Sequence, residues 1–267
     1  MKRKKLIGLS PAEYEHPLDK EALDKLESIP GIKNIFKKLH EIWFEKLSYI
    51  DNAGSSLLVS NENLPRVYNL LREACSILDI QKVPPLYINN DGTFSINAYT
   101  NGIHEPYIVI QTRSIEALDD MELLALIGHE LGHIKSGHVL YYSIGQGLGG
   151  SLVDVINNVT LGLGSIPATS IAIALNYWSR MSEFTADRAA LLTTQDFRSC
   201  IRLNMKIAGL PIGTDIDKFE ESFLKQAKGY EDFDMNQINK IMKIALTLDR
   251  THPWTVLRAA EYVKWIE

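Results

Sequence analysis

Two histidines and a glutamate within five residues could hold a metal ion and use it for chemistry. They lie in the segment His129-Glu130-Leu131-Gly132-His133, which follows the pattern H-E-x-x-H. Residues four apart share one face of a helix, with Cβ atoms about 5–6 Å apart. Two imidazoles placed in this way can bind one zinc ion, and the intervening glutamate can act on a water that the metal holds. An amphipathic helix that carries two histidines by coincidence is the competing interpretation.

The residues before this pattern predict the helix that it needs. Asp119-Asp120 can cap the start of a helix, because an aspartate side chain accepts hydrogen bonds from the first free backbone N–H groups. Apolar residues follow at spacings that suit a helix, namely Met121, Leu123, Leu124, Leu126 and Ile127. We therefore expect both histidines to lie on one helix face.

Glu183 and Asp187 are candidates for the rest of a zinc site, which in catalytic proteins usually has three protein ligands and one water. The two residues are four apart, and buried carboxylates at this spacing repel unless each has a cation or a donor. A zinc ion for Glu183 and an imidazole N–H for Asp187 would satisfy both groups. Asp187 would then fix the tautomer of a ligand histidine, as outer carboxylates commonly do. The alternative is an exposed pair relieved by Arg180 and Arg188.

The spacing excludes a metzincin. That class needs H-E-x-x-H-x-x-G-x-x-H, and here Gly137 and His138 fall at the wrong offsets. We interpret His138 instead as a helix-end residue, because the helix macrodipole favours histidine at that position.

Composition limits the classes of protein that fit. With 267 residues, of which 45% are hydrophobic, the chain can bury the core of a globular protein. A net charge of −5 gives no sign of a nucleic-acid partner. Only Cys75 and Cys200 are present, which excludes a disulfide framework and a Cys-rich zinc site. The apolar run Leu6 to Leu9 is shorter than the roughly 7–15 residues of a signal peptide, so we expect a cytoplasmic protein.

The N-terminal part predicts a helical extension. Residues 17–50 favour two helices, with an apolar stripe at Ile32–Ile50 that packs on the main domain or covers a cleft as a lid. The turn-rich segment Asp51–Ser56 predicts a boundary. We therefore expect an N-terminal helical extension at 1–56 and a main domain at 57–267.

The main domain predicts an α+β fold that is mainly helical. A helix at Asn63–Asp79 precedes three short runs rich in β-branched and aromatic residues, at Leu86–Ile88, Phe94–Tyr99 and Tyr107–Gln111. These runs predict a small, largely antiparallel sheet just before the H-E-x-x-H helix. Later helices are predicted at Asp196–Ala208, Ile216–Ala227, Asn236–Leu248 and Pro253–Ile266.

The segment Val139–Ser179 has one formal charge, Asp154. A membrane span needs about 20 mainly apolar residues, and Asn157-Asn158 and Pro167 interrupt this segment. We favour a helical hairpin held within the protein, with membrane association through residues 139–179 as the open alternative.

Four motifs follow one another along the chain. They are Asn97–Gly102 with Pro106–Val109, the H-E-x-x-H pattern, Glu183–Asp187 as E-F-x-A-D, and Thr251-His252-Pro253 with Arg258 as H-P-x-x-x-x-R. Together they resemble the HtpX-like gluzincin metallopeptidases, a family that includes the CAAX prenyl proteases and the mitochondrial Oma-type enzymes. The resemblance covers the chain from about residue 60 to the C-terminus.

This resemblance implies a zinc metalloendopeptidase that acts on polypeptides and holds one zinc per chain. It implies that His129, His133 and Glu183 bind the zinc, that Glu130 is the general base, and that Asp187 supports a ligand. An edge strand would hold the substrate backbone through Asn97, Ala98 and Tyr99, in the manner of β-augmentation. The alternative is a non-catalytic module that binds polypeptide, although a structural zinc site normally has four protein ligands.

The resemblance also singles out His252 and Arg258. It implies that His252 donates a hydrogen bond to the developing oxyanion, with Arg258 nearby. The competing interpretation makes His252 a turn residue, with Thr251 capping a helix and Pro253 in its first position. Family members such as HtpX carry clear transmembrane helices, whereas Val139–Ser179 is too polar to be assigned as one. The oligomeric state is not predicted.

Overall fold

The structure is a computed structural model that describes residues 3–33, 45–90, 92, 95–145, 168–232 and 252–267. Three expectations fall outside these ranges. They concern the predicted helix Asn236–Leu248, residues 34–44 of the apolar stripe, and residues 146–167 of the low-charge segment.

The described part of the chain is mainly helical. Its helices are α1 (Pro17–Glu27), α2 (Glu45–Ser55), α3 (Pro65–Ile77), α4 (Thr112–Ala117), α5 (Asp120–Lys135), α6 (Val139–Gly145), α7 (Ala168–Thr194), α8 (Phe197–Ile207), α9 (Ile216–Asp232) and α10 (Thr255–Ile266). A short 3-10 helix at Pro11–Glu13 precedes them. As expected, both described ends of the low-charge segment are helical, and no helix in the described ranges is long and apolar enough to cross a membrane.

One small mixed sheet accompanies the helices. Its strands are β1 (Leu57–Leu58), β2 (Leu86–Asn89), β3 (Ala98–Asn101) and β4 (Tyr107–Gln111), in the order β1-β2-β4-β3. The pairs β1–β2 and β3–β4 are antiparallel, and β2–β4 is parallel. The predicted α+β, mainly helical fold with a small, largely antiparallel sheet is confirmed. The strand predicted from Phe94 begins later, at Ala98, and lies at the edge of the sheet.

Glycines let α5 and α7 pack at close range. A Cβ atom on Gly128 would lie 2.5 Å from Thr193 Oγ1, and one on Gly132 would lie 2.6 Å from Ala189 Cβ. Distances this short are inside van der Waals contact, so any larger residue would push the helices apart. Asp119 caps α5 as expected, accepting hydrogen bonds from the N–H groups of Met121 and Glu122. The close packing brings the H-E-x-x-H face of α5 against the Glu183 region of α7.

The described N-terminal residues pack on the main domain. A second hydrophobic cluster joins α1 to α6 and α7, and its fully buried members include Leu26, Ile32 and Trp178. Residues 17–33 therefore pack in the manner expected for docking on the main domain, while the lid hypothesis for the rest of the stripe stays a prediction.

The turn predicted at Asp51–Ser56 is wrong, because α2 continues to Ser55. Intrinsic preferences of Asp, Asn, Gly and Ser are weak compared with tertiary contacts, and Asn52 is buried here. The Ser55 hydroxyl also donates a hydrogen bond to the carbonyl of Asp51, as a helical serine can. The division into 1–56 and 57–267 remains a prediction.

Candidate metal centre

Three buried side chains meet where α5 packs against α7. His129 Nε2 and His133 Nε2 lie 3.2 Å apart, and each is 3.4 Å from a carboxylate oxygen of Glu183. One potential ligand atom from each residue falls within 4.8 Å of the other two. All three side chains are at most 7% exposed. The structure therefore brings together the three residues that the sequence nominated as metal ligands.

The chemistry of these donors fits a zinc ion. Two imidazole nitrogens and one carboxylate oxygen are common zinc ligands, and a set of three leaves one coordination position open. Glu183 Oε2 is buried and has no hydrogen-bond partner among the described residues, and the Arg258 guanidinium lies 3.6 Å from it. A metal ion at direct bonding distance would satisfy this oxygen more fully. A metal ion bound by these three side chains would explain why the Glu183 carboxylate is buried.

Electrostatics distinguish the two histidines. Burial lowers the pKa of His133 to about 3, which keeps its imidazole neutral, so one of its ring nitrogens carries a free lone pair. Burial also acts to lower the pKa of His129, but the charge of Glu183 and hydrogen bonds to Asp187 and Glu183 raise it to about 9. Burial opposes ionisation of Glu183, yet the neighbouring His252 and His129 hold its pKa well below the usual range.

Asp187 contacts His129 on the side of the ring that faces away from the three-residue cluster. His129 Nδ1 lies 3.1 Å from Asp187 Oδ1, so its N–H can donate to the carboxylate while Nε2 faces the cluster. Arg258 Nε donates to Asp187 Oδ2 at 2.8 Å, and Tyr262 donates to Oδ1 at 3.2 Å. Burial raises the pKa of Asp187, but Arg258 and His129 outweigh burial and lower it. This is the hydrogen-bond geometry expected for an outer carboxylate.

The alternative of an exposed carboxylate pair is wrong. Glu183 and Asp187 are both buried, and Arg258 is the arginine that pairs with Asp187. Arg188 instead donates hydrogen bonds to the backbone carbonyls of Tyr14 and Glu15.

Glu130 lies beside the cluster and is held by the edge strand. The Thr100 hydroxyl of β3 donates a hydrogen bond to Glu130 Oε2 at 2.7 Å. Glu130 is 4% exposed, and burial raises the pKa of its carboxyl. The carboxylate is therefore oriented and made more basic than a carboxylate in water.

His252 approaches the same cluster from the chain before α10. Its Nδ1 lies 3.0 Å from Glu183 Oε1, and its side chain is half exposed. The charge of Glu183 raises the pKa of this imidazole. Helix α10 begins at Thr255 with Trp254 as its N-cap, so the alternative that placed Pro253 in the first helical position is wrong.

The cluster opens into a cavity that includes part of the edge strand. Its lining comprises Ala98, Tyr99, Thr100, His129, Glu130, His133, Val139, Tyr142, Glu183 and His252. Asn97 is exposed and does not line this cavity. Its backbone N–H donates to Ser114 Oγ, and its carbonyl accepts from Ser114 and from the N–H of Gln111. The structure thus brings Ala98 and Tyr99 to the candidate site but not Asn97.

Comparison with known proteins identifies the family. The sequence profile of peptidase family M48 matches residues 66–266. The chain belongs to peptidase family M48. It is 35% identical over 265 residues to the plastoglobule-localized metallopeptidase 48, chloroplastic, of Arabidopsis thaliana, a match that covers 96% of this chain and 73% of that protein. It is 28% identical over 223 residues to a protease HtpX homolog of Bacteroides fragilis, covering 69% of this chain and 66% of that protein, just under two thirds.

Membership in the M48 family makes this chain a metallopeptidase and confirms the resemblance to HtpX-like enzymes. The family match begins at Arg66, so α1 and α2 lie outside it.

Two residues that contact the centre of this M48 peptidase were not predicted from the sequence. Tyr142 of α6 donates a hydrogen bond to Glu183 Oε1, and its ring lies 4.7 Å from that of His133. Thr100 lies within the Asn97–Gly102 motif, but its hydrogen bond to Glu130 was not predicted. No periodicity or spacing signal links either residue to the histidine helix, since both contacts depend on tertiary packing.

His138 follows the C-terminal end of α5, as expected for a helix-end residue, but its contacts go beyond the helix. His138 is 3% exposed, and it lies between the ligand-site residue His133 and Asp19 of α1. Docking of α1 against α7 encloses this histidine, which the helix macrodipole argument did not consider. Burial raises the pKa of Asp19, but hydrogen bonds and charge from His138, together with Thr185, outweigh burial and lower it.

Proposed function

We propose that this M48 peptidase is a zinc-dependent endopeptidase that hydrolyses peptide bonds with Glu130 as general base. The observation that carries the proposal is the cluster of His129, His133 and Glu183, in which the buried Oε2 of Glu183 has no hydrogen-bond partner among the described residues. Three protein ligands favour an open, catalytic site over a closed structural one.

The proposed reaction uses groups that already face the cavity. A zinc ion held by His129, His133 and Glu183 would act as a Lewis acid and lower the pKa of its bound water to about 7. Glu130 accepts the proton of the attacking water and passes it to the leaving amine. The hydrogen bond from Thr100 fixes Glu130 Oε2, which leaves Oε1 to face the water.

His252 would stabilise the oxyanion that develops on the scissile carbonyl. Its Nδ1 is occupied by Glu183, so Nε2 remains for the substrate. In the imidazolium form Nε2 also carries a hydrogen, which it can donate to the oxyanion. Arg258 would act through Asp187 and Glu183, which it pairs with, and not on the substrate.

The edge strand supports a polypeptide as the substrate. Strand β3 is at the edge of the sheet, and Ala98 and Tyr99 share the cavity with the metal cluster. An extended peptide can add to such an edge through backbone hydrogen bonds, with chain continuing on both sides of the cleaved bond. This arrangement favours cleavage within a chain over trimming from one end.

The test combines metal content with hydrolysis. We expect the purified protein to hold one zinc per chain and to cleave quenched peptides blocked at both termini, with activity lost on chelation and restored by zinc. Glu130→Gln should keep the zinc and lose at least about 100-fold in kcat/KM, the usual contribution of a positioned base. Glu116→Gln, an exposed glutamate on α4, is the matched control.

Two results would contradict the proposal. Turnover of Glu130→Gln within about twofold of the parent would exclude Glu130 as the base. A zinc-loaded parent that binds unfolded polypeptide without cleaving it would favour the non-catalytic binding module.

A further inference from the structure

His133 has an unusual partner on the side away from the metal cluster. Its Nδ1 lies 3.0 Å from Nδ1 of His138, and both rings are buried. Zinc-ligating histidines normally direct the second ring nitrogen at a carboxylate, a carbonyl or a water. Here a second imidazole takes that place, and it must itself be held in one tautomer to serve as a partner.

Asp19 of α1 can keep His138 in one tautomer. His138 Nε2 lies 3.1 Å from Asp19 Oδ2, and the same oxygen accepts a hydrogen bond from the Thr185 hydroxyl at 2.5 Å. Thr185 in turn accepts from the backbone N–H of His16, at the start of α1, at 3.0 Å. The contacts form one chain from His133 to His138, Asp19 and Thr185, which ties α1 to the ligand helix α5 and to α7.

The directions of these hydrogen bonds follow from the ligand. If neutral His133 binds zinc through Nε2, its only hydrogen is on Nδ1, which must donate to His138. His138 Nδ1 therefore accepts, so the hydrogen of the neutral ring is on Nε2 and is donated to Asp19. A carboxylate at the end of the chain can accept both this bond and the bond from Thr185. Every group then has a single role consistent with its chemistry.

Burial makes a purely space-filling role for Asp19 costly. The residue is 0% exposed, and its Oδ1 has no hydrogen-bond partner among the described residues. Burying an ionised carboxylate is expensive, and apolar residues such as Ala22 and Leu26 fill the same face of α1 without that cost. The retained charge is explained if it fixes His138 and, through it, His133.

We propose that Asp19 is a positioning residue for the metal site, acting through His138 to orient the His133 ring for metal binding. The inference rests on the proposed zinc site. It extends the functional centre to α1, which lies before Arg66, where the match to family M48 begins. A helix outside the family-matched region then contributes to the function of this chain.

Zinc affinity measured by chelator competition tests the positioning role. We expect His138→Phe and Asp19→Asn each to weaken zinc binding, with the larger loss, about 10–100-fold, for His138→Phe. The Co(II)-substituted variants should show altered visible absorption, because the ligand field reports the orientation of His133. Asp24→Asn, an exposed aspartate on the same helix, is the matched control. Leu71→Ala, in the other hydrophobic cluster, controls for general loss of stability.

The zinc-loaded parent gives a second test that needs no variant to fold. Nitrogen-15 NMR of labelled histidines should show His133 protonated at Nδ1, and His138 protonated at Nε2 with a bare Nδ1. The opposite tautomer of His138 would overturn the inference. The inference would also be overturned if His138→Phe and Asp19→Asn both bound zinc within about twofold of the parent affinity. The same holds if Leu71→Ala lost as much zinc affinity as these two variants. A parent that binds no zinc would instead contradict the proposed function itself, and the inference with it.

Discussion

The two histidines of the H-E-x-x-H helix are supported in different ways. His129 donates directly to Asp187, whose carboxylate is also held by Arg258 and Tyr262. His133 meets a second histidine, His138, and reaches its carboxylate, Asp19, only through that ring. The residues that support His129 all lie within the family match, whereas the carboxylate that supports His133 lies on α1, outside that match. The difference shows that neighbouring residues of one motif can draw their support from separate parts of a chain.

We expect the largest effect on zinc affinity and stability from replacing Asp187, the carboxylate that supports His129. We expect Asp187→Asn to weaken zinc binding by about 10–100-fold, since it removes the carboxylate partner of His129, a proposed zinc ligand. It should also lower the free energy of unfolding by about 3–5 kcal/mol, because the buried Arg258 loses its closer counter-ion and keeps only the longer pair with Glu183. Chelator competition and chemical denaturation measure the two effects. The stability loss should exceed that of Asp19→Asn, which leaves no buried arginine.

An exposed ion pair gives the control for this substitution. Asp217 pairs with Arg198 and Arg202 on the surface, so Asp217→Asn should cost at most about 1 kcal/mol and leave zinc affinity unchanged. If Asp187→Asn behaved like Asp217→Asn, the account of the His129 side would be wrong.

A substitution where α5 packs against α7 should disturb the His129 and His133 contacts equally. A methyl group at Gly132 would lie 2.6 Å from Ala189 Cβ and 3.0 Å from the Cα of Ala186, so Gly132→Ala must separate α5 from α7. We expect a loss of about 1–3 kcal/mol in the free energy of unfolding and weaker zinc binding, as the histidines move away from Glu183. Thermal denaturation and zinc titration would report both.

Gly229→Ala is the matched control, because a Cβ at that helical position meets nothing within 4 Å. It should be neutral or stabilising by up to about 1 kcal/mol. Equal destabilisation by both substitutions would show that close packing at Gly132 is not the cause.

The smallest expected effect is a pH dependence from the His133 side. Burial acts to raise the pKa of Asp19 in the folded state, but hydrogen bonds from His138 and Thr185 and the charge of His138 outweigh burial and lower it. Burial and the like charge of Asp19 both act to raise the pKa of nearby Glu15. A lowered folded pKa means that the unfolded state binds more protons, so stability from Asp19 is present above the unfolded pKa of about 3.9. It is lost as the pH falls through the folded pKa, with a slope of at most about 1.4 kcal/mol per pH unit.

Denaturation of metal-free protein at a series of pH values measures this effect. The parent should exceed Asp19→Asn in stability near neutral pH, and the difference should shrink below about pH 3.9. A difference that stays constant down to pH 2 would show that the charge of Asp19 contributes nothing.

The sequence was sufficient for the parts of the site that depend on local spacing. His129 with His133, and Glu183 with Asp187, are each four apart on a helix, so their shared faces follow from helix geometry. The mainly helical α+β fold and the strand Tyr107–Gln111 also followed from local pattern. Glycine spacing alone did not reveal how closely the helices approach.

The rest depended on contacts between distant segments. His138 was assigned from its position after a helix, but docking of α1 decides its environment. The turn expected at Asp51–Ser56 failed because a helix can absorb polar residues when packing favours it. Thr100 and Tyr142 reach the centre from a strand and a short helix, and no periodicity points to them.

The most direct test of the central claim is anomalous diffraction at the zinc absorption edge from crystals of the zinc-loaded protein. We predict one peak per chain, within about 2.0–2.2 Å of Nε2 of His129, Nε2 of His133 and a carboxylate oxygen of Glu183. The fourth position should hold a water facing Glu130. A peak elsewhere, or a fourth ligand supplied by the protein, would contradict an open hydrolytic zinc site.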